Sequence, residues 1–310
     1  MQTMSRSLTA GVFSVALLSA CGAPHGGNFV VPTGNAAAAA PRFVDRPAKH
    51  AGLRALYVLD YHTGYIDILH NDNYRELGSI SDGSNLPQDL FLDTRGNLYV
   101  ANGVGSIGEY APNATSPSFT YNAGMHAAFA VTVDAHGDVF EGDGNGGLGS
   151  INEYYQGVNN VLYSCPVSSS VEAIAIDSSN DVFVTVGGKI SEFPGGLRGC
   201  GSIPLSVPAL SPFGIAVDQN SNLIVCDDGG GAVDVVPPPY SSVARTIGTG
   251  WGNPYLVTLS KDNKLAFATD LGRGLITVID YQTGANVTTL GGGNGLVLPL
   301  AAVDGPNAVY

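Results

Sequence analysis

Between residues 85 and 110 the chain reads NLPQDLFLDTRGNLYVANGVGSIGEY, and its apolar positions come in runs of three to five broken by polar turns, the scale of short strands. The run 90–92 stops at Asp93. Asp93-Thr94-Arg95-Gly96 then reads as a tight turn, Asp opening it and Gly supplying backbone angles that other residues avoid. Leu98-Tyr99-Val100 predicts a second strand. The glycine-rich reversal Asn102-Gly103-Val104-Gly105 leads into a third, residues 106–110, so the unit is a small antiparallel meander.

Copies of this unit recur down the chain. With the turn aspartate as a ruler they fall at Asp93, Asp134, Asp177 and Asp218, at spacings of 41, 43 and 41 residues; Ser260 holds the place 42 later and Asp304 a further 44 on. AFAVTVDAHGDVFEGD, EAIAIDSSNDVFVTV, FGIAVDQNSNLIVCD and YLVTLSKDNKLAFATD each give an apolar strand, a polar turn and a second strand, followed by GSINEY, GKISEF, GAVDVV and LITVIDY as third strands. Fourth, outer strands are less regular, with candidates at 118–121, 160–164, 201–205, 244–247 and 286–290. Several strands per 40–45-residue repeat is the signature of a β-propeller blade. At the N-terminal end, 56–60, 65–68 and 74–80 match second, third and fourth strands with no first strand before them, whereas 300–304 resembles a first strand with no blade after it. The expectation is an all-β, six-bladed propeller over residues 53–310, closed by pairing of its N- and C-terminal strands.

Repeats of this form, apolar-Asp-turn-Gly-Asn-Leu-Tyr-Val-Ala-Asn followed by Gly-x-Ile-x-Glu-Tyr, resemble NHL repeats and related bacterial lipoprotein propellers, and the resemblance covers roughly residues 53–310. It implies the fold and leaves activity open, because the same architecture carries lyases, lactonases and binding scaffolds. Metal-dependent lactonases of this resemblance place acidic and amide ligands at several positions over the channel. This chain departs from that pattern.

Composition agrees with a turn-dense β protein: 42 glycines and 18 prolines in 310 residues, with 13% charged and 44% hydrophobic. Thirteen basic against 26 acidic residues argue against a nucleic-acid role, which needs a basic surface. Residues 1–20 read as a signal peptide, with Arg6 before an apolar stretch. Leu18-Ser19-Ala20-Cys21 resembles the bacterial lipobox, which implies lipidation at Cys21 and a membrane anchor; a plain secretory signal is the bland alternative. Gly22 after that cysteine carries no inner-membrane retention signal by the same resemblance, which favours the outer membrane or periplasmic face of a cell envelope. Residues 21–52, rich in Gly, Pro and Ala without strand or helix period, read as a tether. The expected partners are the membrane and either another envelope protein or a small ligand, with the chain itself a monomer.

Candidate chemistry is sparse. Propeller sites usually lie over the channel, at the residues beginning each first strand: 88–89, 129–130, 172–173, 213–214, 255–256 and 299–300. Only Asp89 and Glu172 supply carboxylates there, and His126 is the one histidine near a predicted mouth, so these three form the candidate ligand site. No catalytic residue and no metal cluster is assigned, and no His falls in a spacing such as HExxH. Glu141, Asp143 and Asn145, in a glycine-rich stretch, offer the oxygen donors Ca²⁺ prefers, against a bland hairpin reading. The third strands each carry an acid, Asp67, Glu109, Glu153, Glu192, Asp234 and Asp280, which alternation predicts to be a ring of equivalent carboxylates. Cys165 and Cys200 form the candidate disulfide on neighbouring blades, leaving Cys226 as a buried thiol.

Overall fold

A computed structural model of the protein describes residues 55–81 and 86–305. The expected signal segment, Cys21 and the tether lie outside them. The strands run β1 (Ala55–Asp60), β2 (Tyr65–His70), β3 (Glu76–Ser81), β4 (Pro87–Leu92), β5 (Leu98–Asn102), β6 (Ser106–Tyr110), β7 (Phe119–Tyr121) and β8 (Ala128–Val133). They continue with β9 (Val139–Asn145), β10 (Leu148–Tyr154), β11 (Val161–Val167), β12 (Val171–Ile176), β13 (Val182–Val186), β14 (Lys189–Phe193), β15 (Ile203–Pro204) and β16 (Pro212–Val217). The last eight are β17 (Leu223–Asp227), β18 (Ala232–Val236), β19 (Arg245–Thr249), β20 (Pro254–Leu259), β21 (Leu265–Asp270), β22 (Leu275–Asp280), β23 (Asn286–Leu290) and β24 (Pro299–Asp304).

Six four-stranded antiparallel sheets result. Blades two to six are β4–β7, β8–β11, β12–β15, β16–β19 and β20–β23, and blade one has the order β24-β1-β2-β3. The terminal strand therefore supplies the missing inner strand: Leu56 lies opposite Asp304 and Val58 opposite Ala302. The ring closes without an open edge between its first and last blades.

The ruler aspartate works as a turn acceptor. Asp93 Oδ1 accepts the N–H groups of Arg95 and Asn97, each at 2.8 Å; Asp134, Asp177 and Asp218 repeat the arrangement, and Ser260 Oγ accepts from Lys264 and Leu265. An acceptor that satisfies several turn N–H groups favours this conformation over competing ones, so the same residue type recurs. These turns define one face of the ring, the turn face. The segments leading into each first strand define the other, the loop face.

The core lies between blades. Tyr99 and Ala101 of blade two pack against Val131, Val133 and Val139 of blade three, and Phe140 and Ile151 of blade three against Ile174, Val182 and Val184 of blade four. Further round, Ile224 and Cys226 meet Val257 and Ala266, and Phe267 and Ile276 meet Leu56, Val58 and Leu69. Each large side chain buried in this way contributes about 1.5–3 kcal/mol, so inter-blade packing, not hydrogen bonding within a blade, holds the ring.

A second repeated device escaped the sequence reading. Asp60, Asp143, Asp227 and Asp270, at or near the ends of second strands, each accept two consecutive backbone N–H groups from the segment entering the first strand of the same blade. The pairs are Val297 and Leu298, His126 and Ala127, Leu210 and Ser211, and Gly252 and Asn253. All four aspartates are buried. They clamp the loop face much as the ruler residues fix the turn face.

The third-strand acids are not a ring of equivalent positions. Glu109, Glu153 and Glu192 lie opposite Tyr99, Phe140 and Phe183 and share one place. Asp67 and Asp234 lie opposite Val58 and Val225, one residue along and so on the other side of their sheets, and Asp280 lies opposite Leu265 at its strand's end. Glu109 and Glu192 are the fourth residues of their strands whereas Asp67 and Asp234 are the third of theirs, and alternation along a strand puts successive side chains on opposite sides.

Cys165 on β11 is bonded to Cys200 in the loop before β15, with Cα atoms 5.3 Å apart. The bond ties the outer strand of blade three to the rim of blade four, whose fourth strand has shrunk to two residues. Cys226 is free and buried.

Candidate functional site

Six first strands surround the axis, and between them runs a cavity of about 300 Å³. One aliphatic residue from each blade lines it: Leu92, Val133, Ile176, Val217, Leu259 and Val303. These are the residues immediately before each ruler position. Asp93, Thr94, Ser260 and Lys261 stand at the turn-face end. Its wall is mainly apolar, with Thr132 and Thr258 along the strands and charged groups towards its ends, a composition that suits a small-ligand site.

Asp89 is the ionisable group at the other end. The strand is bulged between Pro87 and Asp89, an irregularity that recurs at the start of the first strand in blades three to six. Its Oδ1 accepts the N–H of Leu90 at 2.8 Å and its Oδ2 that of Val131 at 3.0 Å, so the carboxylate bridges blades two and three inside the channel. Burial pushes the carboxyl up to about 7 against the opposing pull of those two N–H groups. Its carboxyl therefore titrates near neutrality, at a position that lines the cavity.

Glu172 stands at the loop-face mouth, on β12, and is only partly buried. Its Oε1 accepts the N–H of Gly187 at 3.1 Å, while its Oε2 is buried with no hydrogen-bond partner among the described residues. Burial raises this carboxyl to about 7, opposed by the Gly187 and Gly188 N–H groups. Phe129, Phe213 and Tyr255 hold the corresponding places on blades three, five and six, and Phe213 stacks on Tyr255 with centroids 4.3 Å apart.

The three residues expected to share a ligand have separate partners. His126 Nδ1 lies 2.8 Å from Asp143 Oδ2, and its side chain is 59% exposed. Asp89 is held by β8 and Glu172 by the β13–β14 turn. Glu141, Asp143 and Asn145 belong to strand β9 and not to a loop; the turn proper is Gly146-Gly147, both with positive φ. Glu141 is 0% exposed and takes a hydrogen bond from Asn152 at 2.8 Å on Oε2, with Oε1 unpartnered among the described residues. Burial drives its carboxyl well above the ordinary range. Asp143 is committed to His126 and Ala127 as a clamp. Among the described residues no group of three or more His, Cys, Asp or Glu side chains is placed to hold a metal.

No family model matches the chain, and no curated protein does. Among solved structures the fold is similar to a protein of unknown function from Bacteroides caccae, at TM-score 0.65 and 12% identity over 82% of this chain and 99% of that one. It is also similar to a functionally unknown protein from Desulfotomaculum acetoxidans DSM 771, at TM-score 0.57 and 15% identity over 76% of this chain and 80% of the other. At such identities the likeness concerns the fold alone. The class defined is a six-bladed β-propeller, and the resemblance to NHL repeats rests on the repeat motif quoted above.

Proposed function

We propose that the protein is a lipid-anchored binding module of the cell envelope, tethered through Cys21, whose propeller takes a small ligand in its central channel. The observation that carries the channel reading is the cavity of about 300 Å³ with one aliphatic side chain from every blade and Asp89 at its inner end. Such a space suits an apolar body bearing a cationic or hydrogen-bond-donating head, which a carboxylate in an aliphatic setting would orient. The Cys165–Cys200 bond supports an oxidising compartment, as the lipobox resemblance does.

The channel is tested by thermal-shift and calorimetric titration of the purified propeller with primary alkylamines of four to eight carbons at about pH 8, where Asp89 is largely ionised. Saturable stabilisation that Asp89→Asn abolishes supports the reading. No stabilisation, or stabilisation indifferent to Asp89→Asn, overturns it. Anchoring is tested separately by fractionation of cells expressing Cys21→Ala, which should move the protein from membranes to the soluble envelope fraction.

A further inference from the structure

A second cavity, of about 380 Å³, lies at the rim between the fifth and sixth blades. Its walls are β19 on one side and β22 with β23 on the other. Trp251, the chain's single tryptophan, lines it. A Cβ built on Gly248 would sit 2.9 Å from Cε2, Cζ2 and Nε1 of that indole alike, so Gly248 lies close against the N–H side of the ring. Only glycine allows this seat. The half-buried indole packs against the cluster containing Ile247 and Ile279, which holds it in place.

The remaining lining is hydroxyl- and amide-rich: Thr249, Thr277, Thr289 and Asn286. None of these four side chains makes a hydrogen bond to another described residue, nor does the indole N–H. At the loop face, Arg273 Nη2 donates to the Gly250 carbonyl across the blade boundary at 2.7 Å and closes that end. At the opposite end Gly284 packs against Ile247. A flat aromatic platform ringed by uncommitted hydroxyl and amide groups matches a pyranose, which has an apolar C–H face and a rim of hydroxyls. The chain's net charge of −13 disfavours an acidic polymer, leaving a neutral glycan.

We infer that the groove between blades five and six is a carbohydrate-binding site for a neutral glycan, with Trp251 stacking on a sugar ring. Because Trp251 is the only tryptophan, its emission in the full protein reports on this groove directly. Titration with cellohexaose, chitohexaose, laminarihexaose and maltohexaose should give a saturable emission shift with at least one of them. Thr289→Arg, at an exposed position that leaves the indole seat intact, should weaken that response roughly tenfold or more by filling the groove. Asp89→Asn should leave it unchanged, which separates this site from the channel. Absence of a saturable shift with all four glycans, or a shift that persists undiminished in Thr289→Arg, overturns the assignment.

Discussion

The turn face and the interior of blades two to four use carboxylates in opposite ways. On the turn face, Asp93, Asp134, Asp177 and Asp218 each accept N–H groups of the turns they open, and Asp177 and Asp218 also accept hydroxyls from the next blade, Ser221 at 2.8 Å and Tyr281 at 2.9 Å. Inside blade three and at the loop-face mouth of blade four, Glu141 and Glu172 each keep a buried oxygen without a hydrogen-bond partner among the described residues, and burial raises Asp89, Glu141 and Glu172 above their ordinary range. The first set is repeated and the second is not. A carboxylate saturated by backbone donors is building material that every blade needs. One held at an energetic cost in a single blade answers to something outside the repeat.

Breaking the repeated set should have the larger effect. Asp218→Ala removes acceptors for Asn220, Asn222 and Tyr281 together and strands their donors. We expect a loss of about 3 kcal/mol in urea unfolding, since hydrogen bonds to a charged group are worth roughly 1.5–3 kcal/mol each and are not additive here. A loss below about 0.5 kcal/mol would put Asp218 with ordinary surface residues and end the contrast.

Burial of carboxyls makes the protein less stable as pH rises. For an acid whose folded pKa is raised, the unfolded chain ionises first; stability is complete below the unfolded value and falls until the folded value is passed. Asp89 and Glu172, at about 7 against 3.8 and 4.5, place that fall between about pH 4 and about pH 7; Asp67 and Glu153, also raised to about 7, add to it, and Glu141 extends it upward. Urea midpoints should therefore decline from about pH 5 to about pH 8 by roughly 2–3 kcal/mol after allowance for partial exposure. Stability that rises over this interval would show that the carboxyls are ionised in the folded state at no cost.

Glu141→Gln sharpens the same point at one residue. Its amide oxygen keeps the bond from Asn152 while the charge disappears, so the variant should be about 1–2 kcal/mol more stable than the parent at pH 8 and equal to it near pH 4. Equal stability at both pH values would mean that the Glu141 carboxyl ionises as readily in the folded protein as in the unfolded chain.

The two sets also differ in how readily the sequence shows them. The ruler aspartates are visible because a tight turn needs a short acceptor at a fixed place, and their period gives the blade count and the closure by 300–304. The clamps at Asp60, Asp227 and Asp270 were equally repetitive, standing at the ends of Val-Leu-Asp, Val-Cys-Asp and Ala-Thr-Asp, but their donors come from a segment 16 or more residues away in the chain. Long-range partners leave no local pattern. The third-strand acids misled for a related reason, since side depends on the acid's exact place in the strand and its register with the partner, not on its presence in the strand. Asp89 and Glu172 were legible as the only carboxylates at the channel positions; that Asp89 bridges two blades, and that His126 turns to Asp143, is set by packing around the ring. The Trp251 groove offered one sequence signal, a lone tryptophan beside Gly248 and Gly250, and its partners Thr277 and Thr289 lie in the next blade.

Glu172→Gln is the smallest change and the most selective. The Gln oxygen continues to accept from Gly187, and the Nε2 group takes the place of the unpartnered oxygen, so folding should change by less than about 1 kcal/mol, in a stabilising direction that sets in above about pH 4.5 and levels off above about pH 7. If Glu172 is merely a mouth residue, alkylamine binding in the channel should be unaffected at any pH. If its spare oxygen serves a ligand entering from the loop face, calorimetry should show weaker binding at pH 8 with no matching loss of stability. That split, binding lost while folding is kept, is what Asp218→Ala cannot produce, and it separates a carboxylate retained for a ligand from one retained for the blade.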